Sequence, residues 1–236
     1  MDWEIIHIAE TDSTNRWITN HTEGQSPCAV VADYQTAGRG CGSNSWESEQ
    51  GKNLLCSLMI HPTNIPANKQ FVVSMAVANS IAKVVSEYVK SVSIKWPNDI
   101  YSGDKKLCGI LIENRLQGSV IKDSIIGIGL NVNQQCFVSD APNPISLANL
   151  TGRLYDREEL LHQLLKAFDA ELADLEGVRA RYLPQLYRRT GFHRYRDALS
   201  EFYAEIVTVE DDGHLVLRGI DDYTHRYSFK EVQFII

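Results

Sequence analysis

The sequence predicts an α+β chain in two parts: an α/β part over residues 1–187 and a small all-β part over 188–236. Three observations carry this. Apolar runs rich in β-branched residues alternate with helical patterns in the first part, as at 29–33 and 71–89. The clearest helical pattern, over 156–175, is followed only by short strand-like runs. The length of 236 residues, 44% hydrophobic and 22% charged, suits a globular chain with a substantial core.

The elements follow in order. Residues 5–8 read as a short strand and 29–33 as another. Between them, Asp12-Ser13-Thr14-Asn15 looks like a helix start, because short polar side chains cap free N–H groups. Residues 35–48 hold glycine and serine without periodicity and read as a loop. Residues 53–60 form a continuous apolar strand, and 71–89 a helix with a broad apolar face. The strand at 92–96 stops at Pro97, which disfavours helix in the residue before it. Two more core strands cover 106–113 and 124–132. In the 156–175 helix, Asp156 and Glu159 approximate a capping box, while Leu160, Leu161, Leu164, Leu165, Phe168 and Leu172 share a face. Beyond about residue 188, short strands are expected at 204–209, 214–217 and 224–229, with Asp211-Asp212-Gly213 as a turn.

Composition excludes several classes. A net charge of −7 argues against a nucleic-acid partner bound through phosphate neutralisation. No apolar stretch approaches the roughly 20 residues of a membrane span, so no membrane partner is expected. Residues 1–8 include Asp2 and Glu4 and lack the basic start of a signal peptide. Cys28, Cys41, Cys56, Cys108 and Cys136 are odd in number, scattered and free of CxxC spacing. They read as reduced thiols of a cytoplasmic protein rather than a disulfide framework or zinc site. The seven histidines show no HxH or HxxxH spacing for a metal.

Three segments carry chemistry. In Gly38-Arg39-Gly40-Cys41-Gly42, three glycines let backbone N–H groups approach an anion, and Arg39 offers a fork of donors for carboxylate or phosphate. By itself the segment fits a flexible surface loop equally well. It is neither a GxxxxGK[ST] loop nor a GxGxxG fingerprint. In the second segment, a strand ends at Lys95, turns through Pro97 and Asn98, and returns at Lys106-Leu107-Cys108-Gly109. Loops at strand ends commonly hold binding groups. Lys105 reads as a solvated hairpin tip and Trp96 as core, but Lys106 begins a buried strand, where lysine needs a partner. In the third, Gly127-Ile128-Gly129-Leu130-Asn131, glycines inside a strand permit close approach by a ligand, and the Asn131 amide must find partners. A plain strand-end turn explains this segment equally well when it is taken alone.

Together these segments resemble the biotin–protein ligase family. The resemblance rests on DSTN at 12–15, GRG at 38–40, KWPNDIY at 95–101, KKLCGIL at 105–111 and GIGLNVN at 127–133. KWPND followed by KLxGIL is its most specific part, and with GRG it favours biotin over lipoate. The resemblance implies a catalytic biotin- and ATP-binding domain over 1–187, with a class II synthetase-like mixed sheet flanked by helices, and an SH3-like β-barrel over 188–236. It implies ATP-dependent conversion of biotin to biotinyl-5′-AMP, with Mg²⁺ on the phosphates. Biotin then passes to a lysine of a biotin carboxyl carrier protein or domain. The enzyme would be a monomer or homodimer, of the monofunctional type that lacks an N-terminal helix-turn-helix domain.

The resemblance also implies roles for particular residues. Ser13, Thr14, Asn15 and Gln35 would meet the biotin ureido group, with Gly38, Arg39, Gly40, Cys41, Lys106 and Gly109 around the rest of biotin. Arg39, Trp46, Lys106 and Asn131 would contact ATP, and Trp46 would close the glycine loop. Arg39 and Lys106 would be the catalytic cations, and Asp99 would orient the carrier lysine. One departure stands out. Relatives often continue GRG with arginine, whereas this chain has Cys41-Gly42-Ser43. A less firmly held adenylate is expected, and arginine at Gly42 is expected to slow its escape.

Overall fold

The computed structural model describes residues 1–22, 27–62 and 65–236. Seven strands form the main sheet: β1 (Glu4–Thr11), β2 (Cys28–Gln35), β3 (Leu54–Ile60), β4 (Val92–Lys95), β5 (Asp99–Ser102), β6 (Lys105–Gln117) and β7 (Val120–Leu130). Their order is β1-β2-β3-β7-β6-β5-β4. Only β1 and β2 run parallel; every other neighbouring pair is antiparallel, so the sheet is mixed. Strands β4 to β7 form a meander. Two of its turns contain Gly103 and Gly118 at φ of 56° and 62°, backbone that glycine adopts without strain.

Helix α1 (Thr14–His21) crosses one face of this sheet, where Ile18 packs on Cys28, Val30, Met59 and Ile125. Helices α2 (Phe71–Ser86), α3 (Leu147–Thr151), α4 (Arg157–Ala173) and α5 (Val178–Tyr182) complete the α part, and the main core lies between the other sheet face and residues of these helices. β3 is buried at every position, as its continuous apolar run predicts. Helix α2 stops three residues before the expected 89, and Glu87 and Tyr88 close it with tightened turns onto Val84 and Val85 carbonyls. The expected capping box of α4 is half realised. Asp156 accepts from the N–H groups of Glu158 (2.8 Å) and Glu159 (3.4 Å), but the Glu159 carboxylate turns to Gln163 instead. At α1 the expected cap is made from a distance. Ser13 supplies no side-chain cap, and Gln35 accepts the Thr14 N–H at 2.8 Å.

The C-terminal part holds β8 (His193–Arg196), β9 (Glu201–Val209), β10 (Leu215–Gly219), β11 (Thr224–Tyr227) and β12 (Gln233–Phe234). They form an antiparallel sheet in the order β11-β10-β9-β8-β12. The expected SH3-like barrel is therefore not closed: β11 and β12 are its free edges among the described residues, and β12 contributes only two residues. β8 and β12 are too short and polar at their ends to stand out in the sequence. The apolar core runs on from the helices into this sheet through Tyr195, Ile206, Val209, Leu215 and Leu217. No described helix is long and apolar enough to cross a membrane.

Candidate active site

A cleft of about 720 Å³ opens on the sheet face that α1 leaves partly uncovered. Its floor follows from the period-two alternation of strands. In register, Gly109 of β6 lies opposite Gly129 of β7, Leu111 opposite Gly127, and Gly127 opposite Ser57 of β3. The glycines are occupied from above. A Cβ on Gly129 would come within 2.5 Å of the Trp46 indole, and one on Gly109 within 2.6 Å. A Cβ on Gly127 would collide with the Asn15 amide. The close approach expected at these glycines is thus made here by two side chains of the protein itself.

At one end of the floor, a buried polar relay joins α1 to β2 and β3. Gln35 Oε1 accepts from the Thr14 N–H at 2.8 Å and from its hydroxyl at 3.0 Å. The Ser57 hydroxyl lies 2.7 Å from Thr14 Oγ1 and 2.6 Å from Asn15 Oδ1. Asn15 Nδ2 donates to Glu113 at 2.8 Å. Ser13, Thr14, Asn15 and Gln35 are therefore brought together as expected, and all line the cleft. Ser57 and Glu113 were not singled out by sequence. Both had a signal: counting by two from Gly109 along β6 puts Glu113 on the cleft face, and a serine inside a fully apolar strand needs a partner.

The cations come next. Arg39 Nη2 lies 3.3 Å from Glu113, and Lys106 Nζ lies 2.6 Å from Asp99. Lys106 also sits 5.6 Å from the Trp46 ring centroid, close enough for a cation–π contribution. Lys105 is exposed, as a hairpin tip should be. The KWPND motif divides its labour. Pro97, Asn98 and Asp99 line the cleft, while Lys95 and Trp96 face the C-terminal part. Lys95 sits over the Tyr101 and Phe234 rings at 5.1 and 5.4 Å. Burial pushes its ammonium below the usual lysine range, against the pull of Asp99. Trp96 is core, as expected, and its indole donates to the Gly213 carbonyl at 2.9 Å.

The walls are two loops tied to each other. Trp46 N–H bonds Gly38 O at 2.9 Å, and Gly40 N–H bonds Asn44 O at 2.7 Å, so residues 38–46 fold into a closed hairpin-like loop. The space at Gly38 is already filled by the Trp46 carbonyl, 2.5 Å from where a Cβ would stand. Glu47 accepts from Val138 and Ser139 N–H at 2.9 Å each. Burial opposes its charge, yet these bonds and those from the Ser139 and Gln134 side chains hold its carboxyl below the usual range. Cys41 lines the cleft. Gly42 adopts φ of 71°, and a Cβ there would collide with the Lys230 ammonium. An arginine at Gly42 would be strained and would displace a cation, which revises the expectation that it would simply add one.

Two buried polar atoms of cleft residues lack partners among the described residues: Trp46 Nε1 and Asn131 Oδ1. Asn131 is otherwise fixed, its Nδ2 donating to Ile145 O at 3.1 Å and its N–H to Leu107 O at 3.0 Å. Buried polar atoms are costly unless paired, and here the orphans stand beside two cations over a glycine floor.

A mixed sheet carrying such a cleft defines a class that comparison identifies. The Biotin/lipoate A/B protein ligase family model matches residues 7–131, over half of the chain. The chain belongs to that family. Within it, the chain is similar to the bifunctional ligase/repressor BirA of Bacillus subtilis, with 30% identity over 94% of this chain and 70% of that protein. It is also similar to the biotin–[acetyl-CoA-carboxylase] ligase of Paracoccus denitrificans, with 29% identity over 90% of this chain and 93% of the other. In fold it matches the biotin protein ligase of Aquifex aeolicus solved with biotin and ATP, with a TM-score of 0.81, 23% identity, and coverage of 98% and 99%.

Proposed function

We propose that this chain is a biotin–protein ligase that activates biotin with ATP to biotinyl-5′-AMP and passes it to a lysine of a biotin carboxyl carrier protein or domain. The observation that carries the reading is one convergence: Arg39, Lys106, Trp46 Nε1 and Asn131 Oδ1 all border a glycine-floored cleft of about 720 Å³. That volume is of the order a small ligand and nucleotide occupy, about 300–1,000 Å³. The relative from Paracoccus denitrificans named as a biotin–[acetyl-CoA-carboxylase] ligase, matched over 90% of this chain, supports the choice of substrate.

The biotin carboxylate attacks the α-phosphorus of ATP, the bond to the bridging oxygen breaks, and pyrophosphate leaves. Arg39 and Lys106 exchange Glu113 and Asp99 for these anions and neutralise the crowded charge. The relay of Thr14, Asn15, Gln35 and Ser57 meets the ureido group, and Ser13, Gly38, Gly40, Cys41 and Gly109 shape the space around biotin. Asn131 and Trp46 take the nucleotide through their free polar atoms. In the second step the carrier amine attacks the acyl carbon, the anhydride C–O bond breaks, AMP leaves, and the amine gives up a proton. Asp99, once released by Lys106, orients the incoming lysine. No enzyme nucleophile is needed, so catalysis is positioning and charge neutralisation. The Trp46 loop excludes water from the anhydride.

Mg²⁺ would enter with the ATP phosphates. In the cleft, Asp99 and Glu47 are engaged by Lys106 and by backbone N–H groups, which leaves Asp140 as the exposed carboxylate of the lining. The group of Glu210, Asp212 and His214 lies outside the cleft lining, with both carboxylates engaged by Arg226 and His214 held by Asp212. In this reading residues 1–187 carry the reaction, residues 188–236 flank it, and the enzyme works in the cytoplasm as a monomer or homodimer. The test is biotin transfer to a carrier domain. Pyrophosphate release that requires biotin, and carrier labelling that requires ATP and Mg²⁺, are expected. Release that proceeds equally well with lipoate, or not at all with biotin, would defeat the reading.

A further inference from the structure

The C-terminal sheet ends beside the cleft. Phe229, in the segment between β11 and β12, lines it, and its ring lies edge-on to Trp96 with centroids 6.1 Å apart. The Trp96 indole is in turn anchored to Gly213 of the same sheet. The segment is closed on itself, since Glu231 N–H bonds Ser228 O at 3.1 Å and Ser228 N–H bonds the Glu231 carboxylate at 2.6 Å. At its tip stands Lys230 with φ of 74°, a left-handed conformation that few non-glycine residues adopt. Its ammonium lies against Gly42, close enough that a Cβ on Gly42 would collide with it. A C-terminal lysine thus reaches into the glycine loop of the N-terminal part.

Charge makes this placement informative. The cleft lining carries Arg39 and Lys106 against Glu47, Asp99 and Asp140. Arg39 and Lys106 are each already held by a carboxylate, Glu113 and Asp99. The lining is therefore acidic on balance, although a nucleotide triphosphate is strongly anionic. Lys230 is exposed and belongs to no salt bridge among the described residues, and its ammonium stands 5.9 Å from the ring of Phe229, which lines the cleft, so its charge is available just beside the lining. We propose that Lys230 binds the phosphates of ATP, so that the C-terminal sheet supplies one wall of the nucleotide site and covers the glycine loop. This rests on the adenylating reading of the cleft and adds a residue and a role for the C-terminal part.

The test uses the full-length chain and calorimetry with MgATP, without biotin. Lys230→Gln is expected to weaken MgATP binding by about tenfold, the effect of one charge-assisted phosphate contact. Biotin affinity and Tm are expected to stay at wild-type values. Lys230→Arg is expected to bind MgATP within about threefold of wild type, since it restores the charge. Unchanged MgATP affinity in Lys230→Gln would overturn the inference. So would a parallel loss of biotin affinity and Tm, which would mark Lys230 as structural. Failure of the adenylation reading is a separate result: the wild type would release no pyrophosphate with biotin, whatever Lys230 does to MgATP affinity.

Discussion

The two faces of the main sheet are built from alternate residues of the same strands, and they have opposite characters. On β6 and β7, Cys108 and Ile126 point into the continuous apolar core that includes residues of α2 and α4. Their neighbours Gly109, Gly127 and Gly129 point the other way and carry no side chain, so Trp46 and Asn15 lie directly on the strands. The first face is filled at high density and specifies the fold. The second carries a small apolar cluster beneath α1 and, beside it, a gap above the glycines that the Asn15 amide and the Trp46 indole enter. A half-turn of backbone separates stability from ligand recognition, so the two should respond separately to substitution.

The sharpest way to break that separation is on the core face. Ile126 is fully buried, and Ile126→Ala is expected to cost about 2–5 kcal/mol of stability from lost transfer energy and a residual cavity. Denaturant unfolding measures it. Biotin affinity per folded molecule should be unchanged; a large loss of affinity in the folded fraction would show that the faces are coupled. On the cleft face, Lys106→Ala is expected to slow biotinyl-adenylate formation at least about tenfold, roughly 1.4 kcal/mol in the barrier. It also leaves Asp99 without its 2.6 Å partner, facing the anions. Biotin-dependent pyrophosphate release at the wild-type rate would remove Lys106 from the mechanism, and a large fall in Tm would move it to the structural side.

The smallest expected effect is also the most local. Gly129→Ala would place a methyl group about where the Trp46 indole now lies. The indole can swing away with its loop, so stability should change by less than about 1 kcal/mol. Trp46 fluorescence should move to longer wavelength, and adenylate retention should fall severalfold. An unchanged spectrum and an unchanged rate of adenylate escape would show that the glycine floor is packing space and nothing more. In a Trp46→Phe background the spectral change should disappear.

The glycine loop shows where sequence reasoning stops. From Cys41-Gly42-Ser43 alone, the loop reads as short of positive charge. The fold brings Lys230 to that place from a segment 188 residues further along the chain. Nothing in local composition connects the two positions. Likewise, Lys106 and Asp99 are both legible as chemistry-bearing, but their pairing depends on the β5–β6 hairpin register. The barrel expected for residues 188–236 is an open sheet because closure depends on the lengths of β11 and β12, which weak terminal patterns do not specify.

By itself, the sequence determined the α+β class, the order of most strands and helices, and Arg39 and Lys106 as chemistry-bearing cations, while the family resemblance of its motifs implied that Ser13, Thr14, Asn15 and Gln35 join them. Those features are written in local periodicity, in glycine and proline, and in short contiguous motifs. Only the tertiary structure decided what each polar group faces: Glu113 between Arg39 and Asn15, Ser57 beneath Thr14, and the Trp46 indole over Gly109 and Gly129. It also set the open C-terminal sheet against the cleft through Trp96. The physical reason is that hydrogen bonds and charge pairs act over a few ångströms of space, whatever the distance along the chain, and sheet register brings those ångströms about.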